Sequence, residues 1–164
     1  MENDQYIIRK MQSHEYALLK EFTYQAVFQK DPDNPISKSV LDIPKIKAFY
    51  ENFGKADDFA IVAVDSNGQI IGAVWSRIIY KPIKGYGNID SETPELAISL
   101  YPECRKNGIG TYLMKNMIDL LADKGYKKTS LSVQKDNYAI KMYKKFGFEL
   151  FADHGDECIL VKNL

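Results

Sequence analysis

Cysteine is scarce in this chain: Cys104 and Cys158 are the only two among 164 residues, too few for a disulfide framework or a multi-cysteine metal site. Histidine is as rare, and His14 and His154 belong to no His/Cys/Asp cluster at ligand spacing, so no metal is expected. Neither charge sign is in excess. Twenty-two Lys and Arg face 22 Asp and Glu, which argues against nucleic acid as a partner. No apolar run approaches the ~18–20 residues that cross a bilayer, which argues against a membrane partner. Met1-Glu2-Asn3-Asp4 lacks the apolar core of a secretory leader. Repeats, low-complexity stretches and linkers are missing too. What these absences leave is a soluble, reduced, cytoplasmic protein, read as one domain over 1–164.

Charge is unevenly placed. Between Arg105 and Lys145 lie ten Lys or Arg and three Asp, a balance of +7 that leaves −7 elsewhere. A polyanion suits the first region and a cation the second, although solvated helix faces would give the same pattern.

Hydrophobic periodicity orders the chain. Tyr6–Arg9 reads as a strand, and Ser13 caps a helix carrying Tyr16, Leu19, Phe22 and Ala26. Asp31-Pro-Asp-Asn-Pro35 breaks that helix, and a second runs from Pro44 to about Asn52. Phe59–Val64 and Gln69–Tyr80 form a hairpin across Asp65-Ser-Asn-Gly68. Residues 81–94 have no period and read as a long loop of the kind that is often functional. Glu95–Tyr101 is a strand, Ile109 to Leu121 a helical stripe ending at Gly125, and Thr129–Val133 a strand. Asp136 or Asn137 caps a short helix with Ala139, Met142, Tyr143 and Phe146, and a hairpin closes over Phe148–Phe151 and Glu157–Val161. The order β-α-α-β-β-β-α-β-α-β-β predicts a mixed α/β (α+β) fold around one central sheet.

Chemistry concentrates at Arg105-Lys-Asn-Gly108-Ile-Gly110, where a strand passes into a helix. The first helical turn offers unpaired N–H groups at the positive end of the helix dipole, and glycine lets an anion approach them. Plain turn chemistry gives the same residues. The run is neither the Walker loop nor the dinucleotide fingerprint, which needs a third Gly.

One strand later comes Asn137-Tyr-Ala-Ile-Lys-Met-Tyr143-Lys-Lys-Phe-Gly147-Phe148. Joined to the Arg105–Gly110 run and to Leu100-Tyr-Pro-Glu-Cys-Arg105, this segment resembles the GNAT superfamily of acyl-CoA-dependent N-acyltransferases. The resemblance is close over about Glu95–Phe148 and compatible along the rest. It implies a mostly antiparallel sheet of about six or seven strands flanked by about four helices and splayed between the strands at Glu95 and Thr129. Acetyl-CoA would lie in that V as co-substrate. Its pyrophosphate would rest on the amides of Lys106, Asn107, Gly108, Ile109, Gly110 and Thr111 beside Arg105, and its pantetheine would run along Ser99, Leu100 and Tyr101. Asn137 matches the family's contact to the CoA arm, and Tyr143 the residue that commonly protonates the leaving thiolate. Lys106 and Asn107 depart from the family, which frequently has Gly and a basic residue there; altered affinity is expected.

Acyl transfer to an amine then needs a base, because a lysine-type amine has a reference pKa of ~10.4. It also needs a donor for the thioester oxygen, for which the Leu100 N–H is the candidate. Glu95 is the candidate base, since a carboxylate opening a buried strand requires a reason; a solvated strand edge is the alternative. Tyr143 as acid competes with a purely apolar role on its helical stripe. Cys104, without an accompanying His motif, reads as a small buried residue. Trp75, Arg77, Tyr80 and Tyr86 are the candidate acceptor contacts, with Tyr50 and Phe53 near them. The −7 balance favours a cationic acceptor and Arg77 a carboxylate-bearing one. The expected activity is acetyl transfer to a primary amine of a small molecule or peptide. The alternatives are a silent CoA-responsive regulator and an interaction domain, and a homodimer through the C-terminal sheet edge is possible on this pattern.

Overall fold

The computed structural model describes residues 5–164. The acidic run Met1–Asp4, read above as no leader, lies outside the described residues. Strands β1 (Tyr6–Lys10), β2 (Phe59–Asp65), β3 (Ile70–Arg77), β4 (Glu95–Leu100), β5 (Lys128–Gln134), β6 (Glu149–Asp153) and β7 (Glu157–Asn163) form one sheet in the order β1-β2-β3-β4-β5-β7-β6. Helices α1 (Leu19–Ala26), α2 (Pro44–Lys47), α3 (Ile109–Asp123) and α4 (Ile140–Lys145) flank it. Every neighbouring pair is antiparallel except β4 and β5. Those two share a single register pair, Glu95 with Ser130, and then part. This is the splayed mixed α/β sheet that the sequence predicts.

The join is tied at its narrow end only. The Pro94 carbonyl accepts the Ser130 N–H (3.1 Å) and the Thr129 hydroxyl (2.9 Å). Beyond it no ladder links the two strands, so backbone groups on both inner edges face a gap.

Two cores cover the sheet. Apolar residues of both parities in β2 explain why: Ile61 and Ala63 pack under α3 with Val74, Leu113 and Met117, while Ala60, Val62 and Val64 pack under α1 with Phe22 and Trp75. A strand buried on both faces loses the alternation expected of a half-exposed one.

Local boundaries differ from the periodicity reading where side chains take over main-chain bonds. The first helix begins as a 3-10 turn over Ser13–Leu18, and its cap is not Ser13: Glu15 accepts the Gln12 N–H at 2.8 Å and pairs with Arg9. The second is regular only over Pro44–Lys47. Its following carbonyls, at Ala48, Glu51 and Asn52, are taken by the Arg77 guanidinium, and Asn52 turns left-handed at φ 54°. Strand β3 stops at Arg77 instead of running to Tyr80. Helix α4 starts later than Asp136 or Asn137 would set it: its N-cap is Ala139, and Asn137 lies in the turn before, its Oδ1 accepting the Ala139 N–H at 2.9 Å.

Candidate active site

The gap between β4 and β5 opens into two adjoining cavities, of about 310 and 510 Å³. Ile98, Asn137 and Tyr143 line both, as do Ala26, which ends α1, and Val27 and Phe28, which follow it. One cleft therefore has two chambers, with Tyr143 at their boundary.

The larger chamber lies over the strand-to-helix turn. Arg105, Lys106, Gly108, Gly110 and Thr111 line it. Gly108 precedes α3 at φ +83°, and Lys106 also sits left-handed at φ 63°. The helical ladder starts with the Tyr112 N–H on the Gly108 carbonyl, so the amides of Ile109, Gly110 and Thr111 come before it. A Cβ built on Gly108 would meet nothing within 4 Å, and one on Gly110 would reach Leu100 at 3.5 Å. Both glycines thus keep the amides accessible; neither is needed for internal packing. Asn107 is exposed outside the lining, and Ile109 turns its side chain into the core, which leaves it only its amide to offer.

Strand parity sorts the β4 residues. The Tyr101 N–H donates to Ile71 on β3 at 3.1 Å, so by antiparallel alternation Ser99 and Tyr101 face β3 while Ile98 and Leu100 face the gap. Of the Ser99–Tyr101 edge, only Leu100 presents its main chain to the cleft. Its carbonyl already accepts Arg105 Nε at 3.0 Å. Arg105 also reaches the Gln25 carbonyl (3.2 Å), which ties α1 to the turn. The Ser99 hydroxyl is spent on the Phe22 carbonyl (2.6 Å), and Tyr101 stacks on the Phe22 ring with centroids 5.2 Å apart. These two residues hold the roof helix; Ser99 still lines the larger chamber, whereas Tyr101 lines neither.

The smaller chamber contains Glu95, 2% exposed and on the α1 face of β4. Its Oε2 accepts the Gly87 N–H at 2.9 Å; its Oε1 is buried without a partner among the described residues. Burial pushes the carboxyl up to about 7, against the opposing pulls of the Gly87 amide and the Lys45 charge. The loop 81–94 makes this environment. Gly85 and Gly87 press on the carboxylate so closely that a Cβ on Gly85 would stand 1.6 Å from Oε1, and one on Gly87 would meet the β5 backbone at 2.8 Å. The Gly87 carbonyl in turn accepts the Ser130 hydroxyl at 2.6 Å. Gly85-Tyr-Gly87 is therefore a strap packed on the Glu95 carboxyl, a role that the sequence signalled only by two glycines in an irregular loop.

Trp75 and Tyr86 line the same chamber, with Ile46, Phe49 and Glu157, three residues that the sequence reading missed. Trp75 is fully buried, its indole N–H on the Phe49 carbonyl at 3.0 Å. Arg77 and Tyr80 line neither chamber. Arg77 is the register partner of Glu95, yet its guanidinium turns to Asp58 (3.0 and 3.2 Å) and to three carbonyls. Asp58 thereby keeps a cation away from Glu95. Arg77 has no donor to spare for an acceptor's carboxylate. Replacing it with Ala strands a buried Asp58, so Arg77→Ala is expected to cost about 3–5 kcal/mol in denaturant unfolding. Tyr50 bonds the Leu41 carbonyl and Phe53 packs on Tyr16, both outside the chambers.

Tyr143 is buried, packed edge-on against Phe148 at 6.0 Å, and its hydroxyl makes no hydrogen bond to a described residue. Burial raises the phenol above its usual range, with Tyr138 adding to the effect. The group stays protonated and free to donate. His14 and His154 are exposed and Cys104 is half-buried; none lines a chamber. Among the described residues no cluster of His, Cys, Asp or Glu could hold a metal, and no helix is long and apolar enough to cross a membrane.

Residues 20–148 match the family model described as acetyltransferase (GNAT) family. No curated protein sequence matches the chain. Among solved structures, a phosphinothricin acetyltransferase from Sinorhizobium meliloti in complex with AcCoA is 18% identical, over 97% of this chain and 88% of that one, with a TM-score of 0.66. PaiA N-acetyltransferase from Thermoplasma acidophilum in complex with coenzyme A is 20% identical over 97% and 99%, with a TM-score of 0.63. A GNAT-family acetyltransferase from Streptococcus pneumoniae is 19% identical over 97% and 99%, with a TM-score of 0.65. At these identities the likeness is one of fold.

Proposed function

We propose, because the chain belongs to the acetyltransferase (GNAT) family, that it transfers acetyl from acetyl-CoA to a primary amine by direct attack in one cleft. The observation that carries this reading is the two-chambered cleft itself. A cradle of helix-start amides opens on one side of Tyr143, and on the other lies a buried carboxylate with one oxygen unpartnered. Two solved relatives in fold hold AcCoA or coenzyme A, which supports the assignment of the larger chamber.

In that chamber the Ile109, Gly110 and Thr111 amides suit a pyrophosphate, and the Asn137 side-chain amide, whose oxygen is engaged by Ala139, has its N–H groups left to donate. The acetyl-CoA thioester supplies the activated acyl group: the amine's C–N bond forms, the C–S bond breaks, and acetamide, thiol and one proton result. Glu95 accepts the ammonium proton, directly or through one water, so that the lone pair is available. The Leu100 N–H donates to the carbonyl oxygen as negative charge builds on it. Tyr143 donates toward the departing sulfur. The burial that raises the phenol also disfavours a bare thiolate, so the two shifts act in the same direction. Holding both reactants in one cleft removes the entropic cost of a bimolecular encounter.

Thermal unfolding with acetyl-CoA tests the cradle. At ~100-fold its Kd a ligand adds about 2.7 kcal/mol, roughly 5–10 °C for this length. Gly110→Trp is expected to abolish that shift while unfolding normally without ligand, because the indole would occupy the larger chamber. An unchanged shift in the variant would remove the cradle from the account.

A further inference from the structure

We infer that the acceptor is a short aliphatic diamine, its reacting nitrogen at Glu95 and its far ammonium at Glu157, an inference that rests on the transferase reading above. The smaller chamber carries two charged side chains in its lining, Glu95 and Glu157, and both are acidic. Lys45, whose charge reaches Glu95, is not in the lining; its ammonium lies over the Tyr86 ring, 5.0 Å from the centroid. Arg77 is consumed by Asp58 and backbone carbonyls.

The two carboxylates enter from opposite sides of the splay, Glu95 opening β4 and Glu157 opening β7 beside β5. Glu157 takes part in none of the ion pairs among the described residues. It is half-buried and lies near the chamber wall that Tyr86 forms: burial raises the Tyr86 phenol, and the Glu157 charge adds to that rise. An ammonium that delivers its proton to Glu95 meets one carboxylate and leaves the other uncompensated. A second positive charge on the same molecule satisfies it, and a carboxylate there would be repelled. Trp75, Leu131, Val133 and Phe28 in the same lining supply apolar wall for a methylene chain. At about 310 Å³ the chamber is at the small end of ligand pockets, which suits a short chain.

The test measures kcat/KM by thiol release at saturating acetyl-CoA for the α,ω-diamines from propane to hexane, for monoamines of matched length, and for the matching ω-amino acids. The best diamine is expected to exceed its monoamine by ~10–100-fold, the size of one charge-assisted contact, with the amino acids slower than either. Glu157→Gln is expected to abolish the diamine's advantage, its kcat/KM falling through KM to that of the matched monoamine measured in the same variant. Monoamines equal to diamines, amino acids preferred, or a diamine preference that survives Glu157→Gln would each overturn the assignment while leaving the transferase intact. Thiol release from no amine at all would overturn both.

Discussion

Glu95→Gln is expected to lower turnover by ~10²–10⁴-fold, the usual contribution of a positioned base, and at the same time to make the protein more stable above pH 7. The two effects share a cause. The carboxyl titrates near 7 in the fold and near 4.5 in the unfolded chain, so between those values the folded state binds more protons. Stability contributed by the neutral acid is present below about 4.5 and is lost as pH rises through about 7. A neutral amide of the same shape keeps the acceptor for the Gly87 N–H and avoids burying a charge. The expected gain at pH 8 is roughly 3 kcal/mol, or ~6–12 °C in midpoint, shrinking toward zero at pH 4. In the wild type, turnover should climb with pH to a plateau above about 7, and that limb should vanish in the variant. Full activity would remove Glu95 from the mechanism. A variant destabilised at pH 8 would contradict a buried carboxyl held neutral by its surroundings.

Tyr143→Phe separates chemistry from binding. The ring stays, so the packing on Phe148 and the fold's stability are expected to hold, and the acetyl-CoA-induced thermal shift should be unchanged. Turnover is expected to fall by ~10²-fold or more, because the leaving sulfur loses its donor. A thioester with a more acidic thiol needs that donor less, so the defect should shrink with such a leaving group. Equal turnover in variant and wild type would return Tyr143 to the core role that its helical stripe also fits.

How far these groups were legible from residues alone differs from one to the next. Gly108, Gly110, Asn137 and Tyr143 stand in two short runs around one helix and one strand, and it is the resemblance of those runs to the family that singled them out, since spacing alone also fits a plain turn and an apolar stripe. Glu95 was visible as a carboxylate at the head of an apolar strand. Its partners were not, because Gly87 reaches it through an irregular loop whose shape depends on β5. Arg77 misled for a related reason: its choice of Asp58 over an acceptor depends on contacts 19 to 29 residues away. Glu157 left no local sign, since β7 reaches the cleft only once it has paired with β5. Ser99 and Tyr101 were placed on the right strand, but parity turns their main chains toward β3. Register is a tertiary property, and periodicity reports only which residues are apolar.

The most direct test incubates the protein with acetyl-CoA and the amine panel and quantifies free thiol and N-acetylated amine together. The account predicts the two in equal amounts, dependent on both Glu95 and Tyr143. Acetyl-CoA that stabilises the protein yet yields no acetylated amine with any acceptor would contradict the transferase and leave a CoA-binding regulator.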